Sequence, residues 1–135
     1  MSQENVEAFN RAVDAFDRQD FEAMLEELDA AVEWYDAAPM LLGGEATVYR
    51  GHEGVRDLWR DLDDAFEARR VEYTEIRDLG GRVLATGRLH ARGKGSGAEV
   101  ESPYGIVCDF ENGKAIRVRT FLDADKALEA AGLRE

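Results

Sequence analysis

The sequence predicts an α+β fold in which three helices pack on a strongly curved, mostly antiparallel sheet. In the first half of the chain, apolar residues recur every three or four positions, which is typical of amphipathic helices. In the second half, apolar and polar residues alternate, and glycine-rich turns separate the alternating stretches. A chain of 135 residues is the usual size for a single core. We therefore expect one domain over residues 1–135.

The helical half contains three amphipathic segments and one strand. Asp20 has the residue type and position of a helix cap, and the third helix presents an apolar stripe that ends at Phe66. A loop over residues 37–50 is expected between the strand and the third helix. The predicted elements are a helix carrying Val6, Phe9, Val13 and Phe16, a short helix after Asp20, a strand over 32–36, and a helix from Gly51 to about Ala68.

The second half is predicted to form an antiparallel meander. Asn112-Gly113 is the strongest hairpin signal in the chain, because both residues tolerate the positive φ that a tight turn requires. Asp123 is expected to cap a short final helix that ends at Gly132. The predicted strands are residues 71–79, 82–92, 99–110 and 114–122, and the final helix is 124–131.

Composition argues against several classes of function. The net charge of −12 argues against binding to nucleic acid or to an anionic membrane surface, since both need clustered Lys and Arg. A single cysteine, Cys108, cannot form an internal disulfide, and with only two histidines a zinc site is not expected. No signal peptide is expected, and no apolar run approaches the length of a membrane-spanning helix. The prediction is a cytoplasmic protein.

Four segments carry a family resemblance that extends over nearly the whole chain. They are AFDRQDFEAMLEELDAAVEWYD, YRGHEGVRDLW, FENGKAIRVRTFLD and ALEAAGL. These segments and their order resemble the SnoaL-like branch of the nuclear transport factor 2-like superfamily, which includes the ketosteroid isomerases and limonene epoxide hydrolases. The resemblance implies a cone-shaped domain with a ligand cavity, and dimerisation through the outer face of the sheet.

The resemblance also marks one residue as a catalytic base. Counted without gaps from Asp17, the base of the isomerase pattern falls on Asp36, while its two oxyanion-binding residues fall on Ala12 and Ile106. Without those two donors, steroid isomerisation of the usual kind is not expected. The epoxide hydrolase pattern needs two aspartates and an arginine around a water, and Asp36 supplies one of them.

Asp36 and Tyr104 are the catalytic candidates. Trp34 and Asp36 share one strand face, so an inward face would place the carboxyl beside an aromatic wall, where desolvation raises its pKa. The alternative is a solvated aspartate at a strand end that caps the loop. Tyr104 is the polar group on an otherwise apolar strand face and is able to donate a hydrogen bond to a ligand oxygen. Its alternative role is a core tyrosine with the hydroxyl at the rim.

The predicted pocket wall follows from the same alternation of side chains. On the last strand, Ile116, Val118, Thr120 and Leu122 are expected to face inward. Cys108 is interpreted as a small core residue rather than a nucleophile. The ligand pocket is predicted to be lined by Trp34, Trp59, Ile106, Cys108, Thr120 and Leu122.

The two histidines are accessory candidates. His90 belongs to the polar, outward set of its strand, which favours a surface role. His52 lies at the start of the third helix, where a capping role is more common than catalysis. A pair formed by His52 and Asp36 is nevertheless allowed by the predicted topology, because both flank the loop over residues 37–50.

The outer sheet face is predicted to carry a homodimer interface. Its arginines, which can pair with acidic residues across strands, surround two apolar residues, Val107 and Phe121. An ordinary solvated face is the alternative. The basic residues are Arg88, Arg92, Arg117 and Arg119.

Together these features predict a protein with a pocket for a small, mainly apolar molecule. The hypothesis is an acid–base enzyme without a cofactor, an isomerase, cyclase or epoxide-hydrolase-like protein acting on a carbonyl- or epoxide-bearing ligand. The alternatives are a ligand-binding module with the same cone, or a dimeric interaction domain. A cone filled by its own aromatic side chains would favour the interaction domain.

Overall fold

The computed structural model describes residues 2–42 and 44–133. The first half of the chain contains three helices and two strands, and the second half forms a long antiparallel meander followed by a short helix. The helices are α1 Ser2–Asp17, α2 Phe21–Leu25, α3 Gly51–Ala65 and α4 Ala124–Ala130. The strands are β1 Leu28–Asp36, β2 Thr47–Arg50, β3 Phe66–Asp78, β4 Arg82–Gly93, β5 Glu99–Glu111 and β6 Lys114–Phe121, with a 3₁₀ helix Ala38–Leu42 between β1 and β2.

The six strands form one curved, unclosed sheet in the order β2-β1-β6-β5-β4-β3. Every neighbouring pair is antiparallel except β1 and β6, which run parallel. The concave face is covered by α1, α2 and α3, and the main core lies between them and the sheet. The predicted α+β class and the curved, mostly antiparallel sheet are confirmed.

The boundaries of the middle segment differ from the prediction. The stretch predicted as a loop over 37–50 contains the 3₁₀ helix and the edge strand β2. The third helix ends at Ala65 rather than near Ala68, because Phe66 has extended dihedral angles (φ −129°, ψ 134°) and begins β3. Phe66 remains buried, so its apolar character suits the first position of a strand as well as a helical stripe.

The outer face of the sheet is partly covered by α4. Leu84 and Val107 point away from the main core and form a second cluster with Ala127 and Ala131 of the C-terminal segment, against which Phe121 also packs. Val107 has no exposed surface. The prediction that Val107 contributes to a dimer surface is therefore wrong, because α4 covers it, whereas Phe121 is only partly buried.

A bulge changes the inward set of β6. The register between β5 and β6 shifts at Asp109 and Phe110, so Ala115, rather than the predicted Ile116, joins the core. Val118 and Thr120 face inward as predicted and are 1% and 4% exposed.

Two observations on the described residues bear on other classes of protein. None of the helices in residues 2–42 and 44–133 is long and apolar enough to cross a membrane. In the same part of the chain, no three His, Cys, Asp or Glu side chains converge in a way that would hold a metal ion.

Candidate functional site

Two adjoining cavities occupy the space between the helices and the concave face of the sheet. The larger, about 80 Å³, lies beneath α1 and is lined mainly by apolar side chains. The smaller, about 50 Å³, lies beneath α3 and contains Asp36. The two share a wall made by Phe16, Trp34, Val71 and Tyr104.

Asp36 is a buried carboxyl held by three hydrogen-bond donors. It ends β1 and is only 3% exposed. Oδ1 accepts hydrogen bonds from Trp34 Nε1 and from the Thr120 hydroxyl, both at 3.3 Å, and Oδ2 accepts one from the Ala38 backbone N–H at 3.3 Å. Burial raises the pKa of Asp36, and these hydrogen bonds and the more distant Arg69 oppose the rise only in part. The carboxyl is thus poised to exchange a proton at a higher pH than an ordinary aspartate.

Thr120 joins the Asp36 carboxyl to the backbone that follows it. Its hydroxyl oxygen accepts a hydrogen bond from the Ala37 backbone N–H at 2.9 Å while the hydroxyl donates to Asp36. Burial raises the pKa of the nearby Tyr104, which keeps its phenol protonated. A hydroxyl has two acceptor sites and one donor, so Thr120 can serve Ala37 and Asp36 at once.

The larger cavity has no polar group at the two positions where the isomerase pattern has oxyanion donors. Ala12 and Ile106 both line it and present only hydrocarbon. Tyr73 lines the same cavity, with its ring 5.5 Å from Phe9 and 6.3 Å from Tyr104. Burial raises the pKa of Cys108, another lining residue, to about 12, so it stays a neutral thiol.

The structure places most of the predicted pocket residues around these cavities. Trp34 lies in the shared wall, Trp59 lines the smaller cavity, Ile106 and Cys108 line the larger one, and Thr120 contacts Asp36. Leu122 is half-buried and packs against the core, but it is not part of the lining of either cavity.

The two histidines lie away from Asp36. His52 Nε2 is 3.0 Å from the Leu28 carbonyl oxygen, at the far end of β1 from Asp36. The ends of this nine-residue strand are about 25 Å apart, so the structure does not bring His52 and Asp36 together. His90 lies on the outer face between Glu72 and Glu101.

The comparisons agree with this architecture. A family model described as SnoaL-like domain matches residues 9–118. The chain belongs to the SnoaL-like domain family. No curated protein matches it.

Solved structures share the fold of this SnoaL-like domain. TerC, co-crystallised with polyporic acid, is 22% identical, with 93% of this chain and 96% of TerC covered and a TM-score of 0.79. A provisionally assigned polyketide cyclase from Xanthomonas campestris pv. campestris is 21% identical, with 92% and 93% covered and a TM-score of 0.71. A protein from Catenulispora acidiphila with a ketosteroid isomerase-like fold, in complex with trimethylamine, is 16% identical, with 94% and 93% covered and a TM-score of 0.74. At these identities the likeness shows the fold.

Sequence reasoning missed several polar residues that line the cavities of this SnoaL-like domain; besides Arg69 and Tyr73 they are Asp17, Glu27 and Arg70. Arg69 lines the smaller cavity with its side chain only 8% exposed, and Tyr73 lines the larger one. Both lie on β3, in alternation with Val71, which lines both cavities. The period of two around Val71 was the signal that could have placed them inward.

Proposed function

We propose that this SnoaL-like domain is an acid–base enzyme that needs no cofactor and acts on an apolar ligand bearing a carbonyl or epoxide oxygen. The observation that carries the proposal is the Asp36 carboxyl, buried at a cavity wall with a raised pKa. An acid or base is most effective when its pKa lies near the working pH, and desolvation moves Asp36 in that direction. Ligand-bound neighbours with the same fold support a small-molecule pocket.

Each side chain has a role in the proposed reaction. Asp36 takes a proton from the carbon next to a ligand carbonyl, or from a water that attacks an epoxide, and returns it later in the cycle. Tyr104 donates a hydrogen bond to the ligand oxygen, and Thr120 orients the Asp36 carboxyl through its hydrogen bond to Oδ1. Trp34 and Trp59 supply an apolar wall that restricts water. Isomerisation, cyclisation and epoxide opening all use this set of groups.

The second candidate function is ligand binding without catalysis. The larger cavity does not include Asp36, and hydrocarbon from Ala12 and Ile106 stands where the isomerase pattern has oxyanion donors. A pocket of this kind holds an apolar molecule without acting on it. The two cavities remain open between the aromatic side chains, which argues against a cone that serves only as packing for an interaction domain.

The proposed assembly is a homodimer through the outer sheet face, in the area that α4 leaves uncovered. Charges of both signs alternate there, as in the pair formed by Arg88 and Glu101, and such a surface can pair with its own copy across a two-fold axis. The cytoplasmic location stays a prediction from the sequence.

The test of catalysis is Asp36→Asn, screened together with the wild type on a panel of cyclic ketones and cyclic epoxides. Asparagine keeps the size of the side chain and one acceptor oxygen but cannot act as a base. We expect turnover to fall by at least about 100-fold. The melting temperature should change little, because the variant loses a hydrogen bond but also the desolvation penalty of a charge.

Asp57→Asn, an exposed change on α3, is the matched control and should leave turnover unchanged. Full turnover in a folded Asp36→Asn variant would reject Asp36 as the base. A wild type that binds members of the panel but converts none of them would favour the binding module.

A further inference from the structure

Arg69 is a buried cation in the smaller cavity. Its side chain is 8% exposed, although the preceding and following residues of β3 are more open to solvent. Nη1 donates to Asp63 Oδ1 at 2.7 Å. Asp63 itself is 61% exposed, so water screens the negative partner far more than the positive one. Asp63 therefore offsets only part of the positive electrostatic potential that Arg69 creates in the cavity.

Two aromatic rings hold the guanidinium in place. Its central carbon lies 5.2 Å from the centroid of the Phe16 ring and 5.7 Å from that of Trp59. Both rings also line the smaller cavity. Contacts of this kind attract a cation to the ring faces and restrain the guanidinium. The donor geometry of Arg69 is thus fixed before any ligand binds.

One donor of this fixed group has no partner. Arg69 Nε is buried and makes no hydrogen bond with any described residue. A buried, charged donor without an acceptor is costly, and such groups are usually satisfied in the functional state. The neighbouring Asp36 does not meet this need, since its oxygens are engaged by Trp34, Thr120 and Ala38.

We propose that Arg69 binds an anionic oxygen of the ligand, so that this site selects ring-bearing carboxylates or enolates. The proposal rests on the proposed function and names its substrate class. In the bound state, Arg69 Nε donates a hydrogen bond to the oxyanion of the ligand. The ring of the ligand lies among Phe16, Trp34 and Trp59. Asp36 faces the ligand from the end of β1. Arg69 then does for a developing enolate what the absent donors at Ala12 and Ile106 would do in the isomerase pattern.

The experiment compares benzoate with benzamide, which have the same ring and nearly the same shape but differ in charge. Binding is measured by calorimetry and by tryptophan fluorescence, in wild type, Arg69→Met and Arg69→Lys. We expect wild type to prefer benzoate, and Arg69→Met to lose at least tenfold in benzoate affinity while benzamide affinity changes less than threefold. Arg69→Lys keeps the positive charge but not the planar guanidinium, so its affinity for benzoate should lie between those of wild type and Arg69→Met.

Arg56→Met is the matched control, because Arg56 also lies over a phenylalanine ring, at 5.0 Å from the centroid of Phe21, but is half exposed. It should leave both affinities unchanged. Thermal denaturation verifies that each variant is folded. If Arg69→Met does not fold, the comparison of wild type with Arg69→Lys tests the proposal. Equal affinity for the two probes in wild type, no measurable benzoate binding at millimolar concentration, or an unchanged preference in the folded Arg69 variants would overturn the proposal.

Asp36→Asn separates this inference from the proposed function. If Asp36→Asn keeps its turnover but the preference for benzoate still depends on Arg69, the acid–base proposal fails and the anion site stands. If Asp36→Asn loses turnover while the Arg69 variants bind both probes as wild type does, catalysis stands and the anion site fails.

Discussion

The proton affinity of Asp36 is set by two opposing effects. Burial in an apolar wall disfavours the carboxylate, while hydrogen bonds from Trp34, Thr120 and Ala38 favour it. Burial is the larger effect, and the pKa rises. Each donor therefore adjusts the pH at which Asp36 can accept a proton, and removal of one donor should shift that pH upward.

Thr120→Val tests this balance at a single residue. Valine keeps the shape of threonine but donates nothing, so the carboxylate loses one stabilising partner and the pKa of Asp36 should rise further. The measurement is an NMR titration of the Asp36 carboxyl carbon, which needs no substrate. Thr74→Val, whose hydroxyl bonds to a backbone carbonyl on the exposed part of β3, should leave the titration unchanged. An equal or lower pKa of Asp36 in Thr120→Val would contradict the assigned role of the hydroxyl.

The sequence was informative about Asp36 and uninformative about Arg69. Asp36 lies two residues after Trp34 on an alternating strand, so the two side chains share a face. The apolar Trp34 therefore predicted that Asp36 faces inward. Arg69 is followed directly by Arg70, and two adjacent arginines are typical of a solvated surface. What buries Arg69 is the position of β3 beneath α3, together with the rings of Phe16 and Trp59. Those contacts join residues far apart in sequence, and no local pattern contains them.

Among the elements, the pairing of β3 with β4 depends on one close approach. Gly87 lies opposite Tyr73, beside a bulge in β3. A Cβ atom on residue 87 would lie 1.9 Å from the Glu72 carbonyl oxygen and 2.8 Å from the Tyr73 Cα. Only glycine lets the two backbones come this close. The approach in turn sets the position of Tyr73 in the wall of the larger cavity.

Gly87→Ala should therefore destabilise the fold and disturb the larger cavity. Overpacking of this kind costs about 1–3 kcal/mol of unfolding free energy, measured by chemical denaturation. Gly81→Ala is the matched control, because a Cβ there meets the Phe110 carbonyl oxygen at an ordinary 3.9 Å, and its effect should stay within about 0.5 kcal/mol. Equal stability of the two variants would show that β3 can move away at little cost.

Elements with a local sequence signal were predictable, including the short helices that follow the caps Asp20 and Asp123, whereas the edge strand β2 was not. The alternation along β4 and β5 extends over a dozen residues, and both strands form close to where the pattern placed them. β2 has four residues and pairs only with β1, at an edge of the sheet. Its formation depends on that partner. Phe66 fits both the stripe of α3 and the first position of β3, so hydrophobicity alone could not locate the boundary.

At the scale of the whole molecule, α4 determines which part of the outer face remains for a partner. It packs across β4, β5 and β6 and buries Val107. Arg119 is tied to this contact, since it donates to the Ala130 carbonyl oxygen at the end of α4 and lies near Asp109. A charge reversal at Arg119 would disturb the docking of α4, so it cannot report cleanly on a dimer. The uncovered area contains Arg88, His90 and Glu101.

Arg88→Glu is the cleaner test of the proposed homodimer. Arg88 is half exposed, and its Nε bonds to Glu101 Oε1 at 2.7 Å. Reversal of its charge places a second negative charge beside Glu101 on the proposed interface. In a two-fold dimer this change occurs in both protomers, so the electrostatic repulsion between them should act twice. Sedimentation velocity should show wild type as a dimer and Arg88→Glu shifted toward monomer. Arg60→Glu, an exposed change on α3, should remain dimeric. A wild-type monomer at all concentrations would reject the dimer, whereas an unchanged dimer in Arg88→Glu would place the interface on another surface.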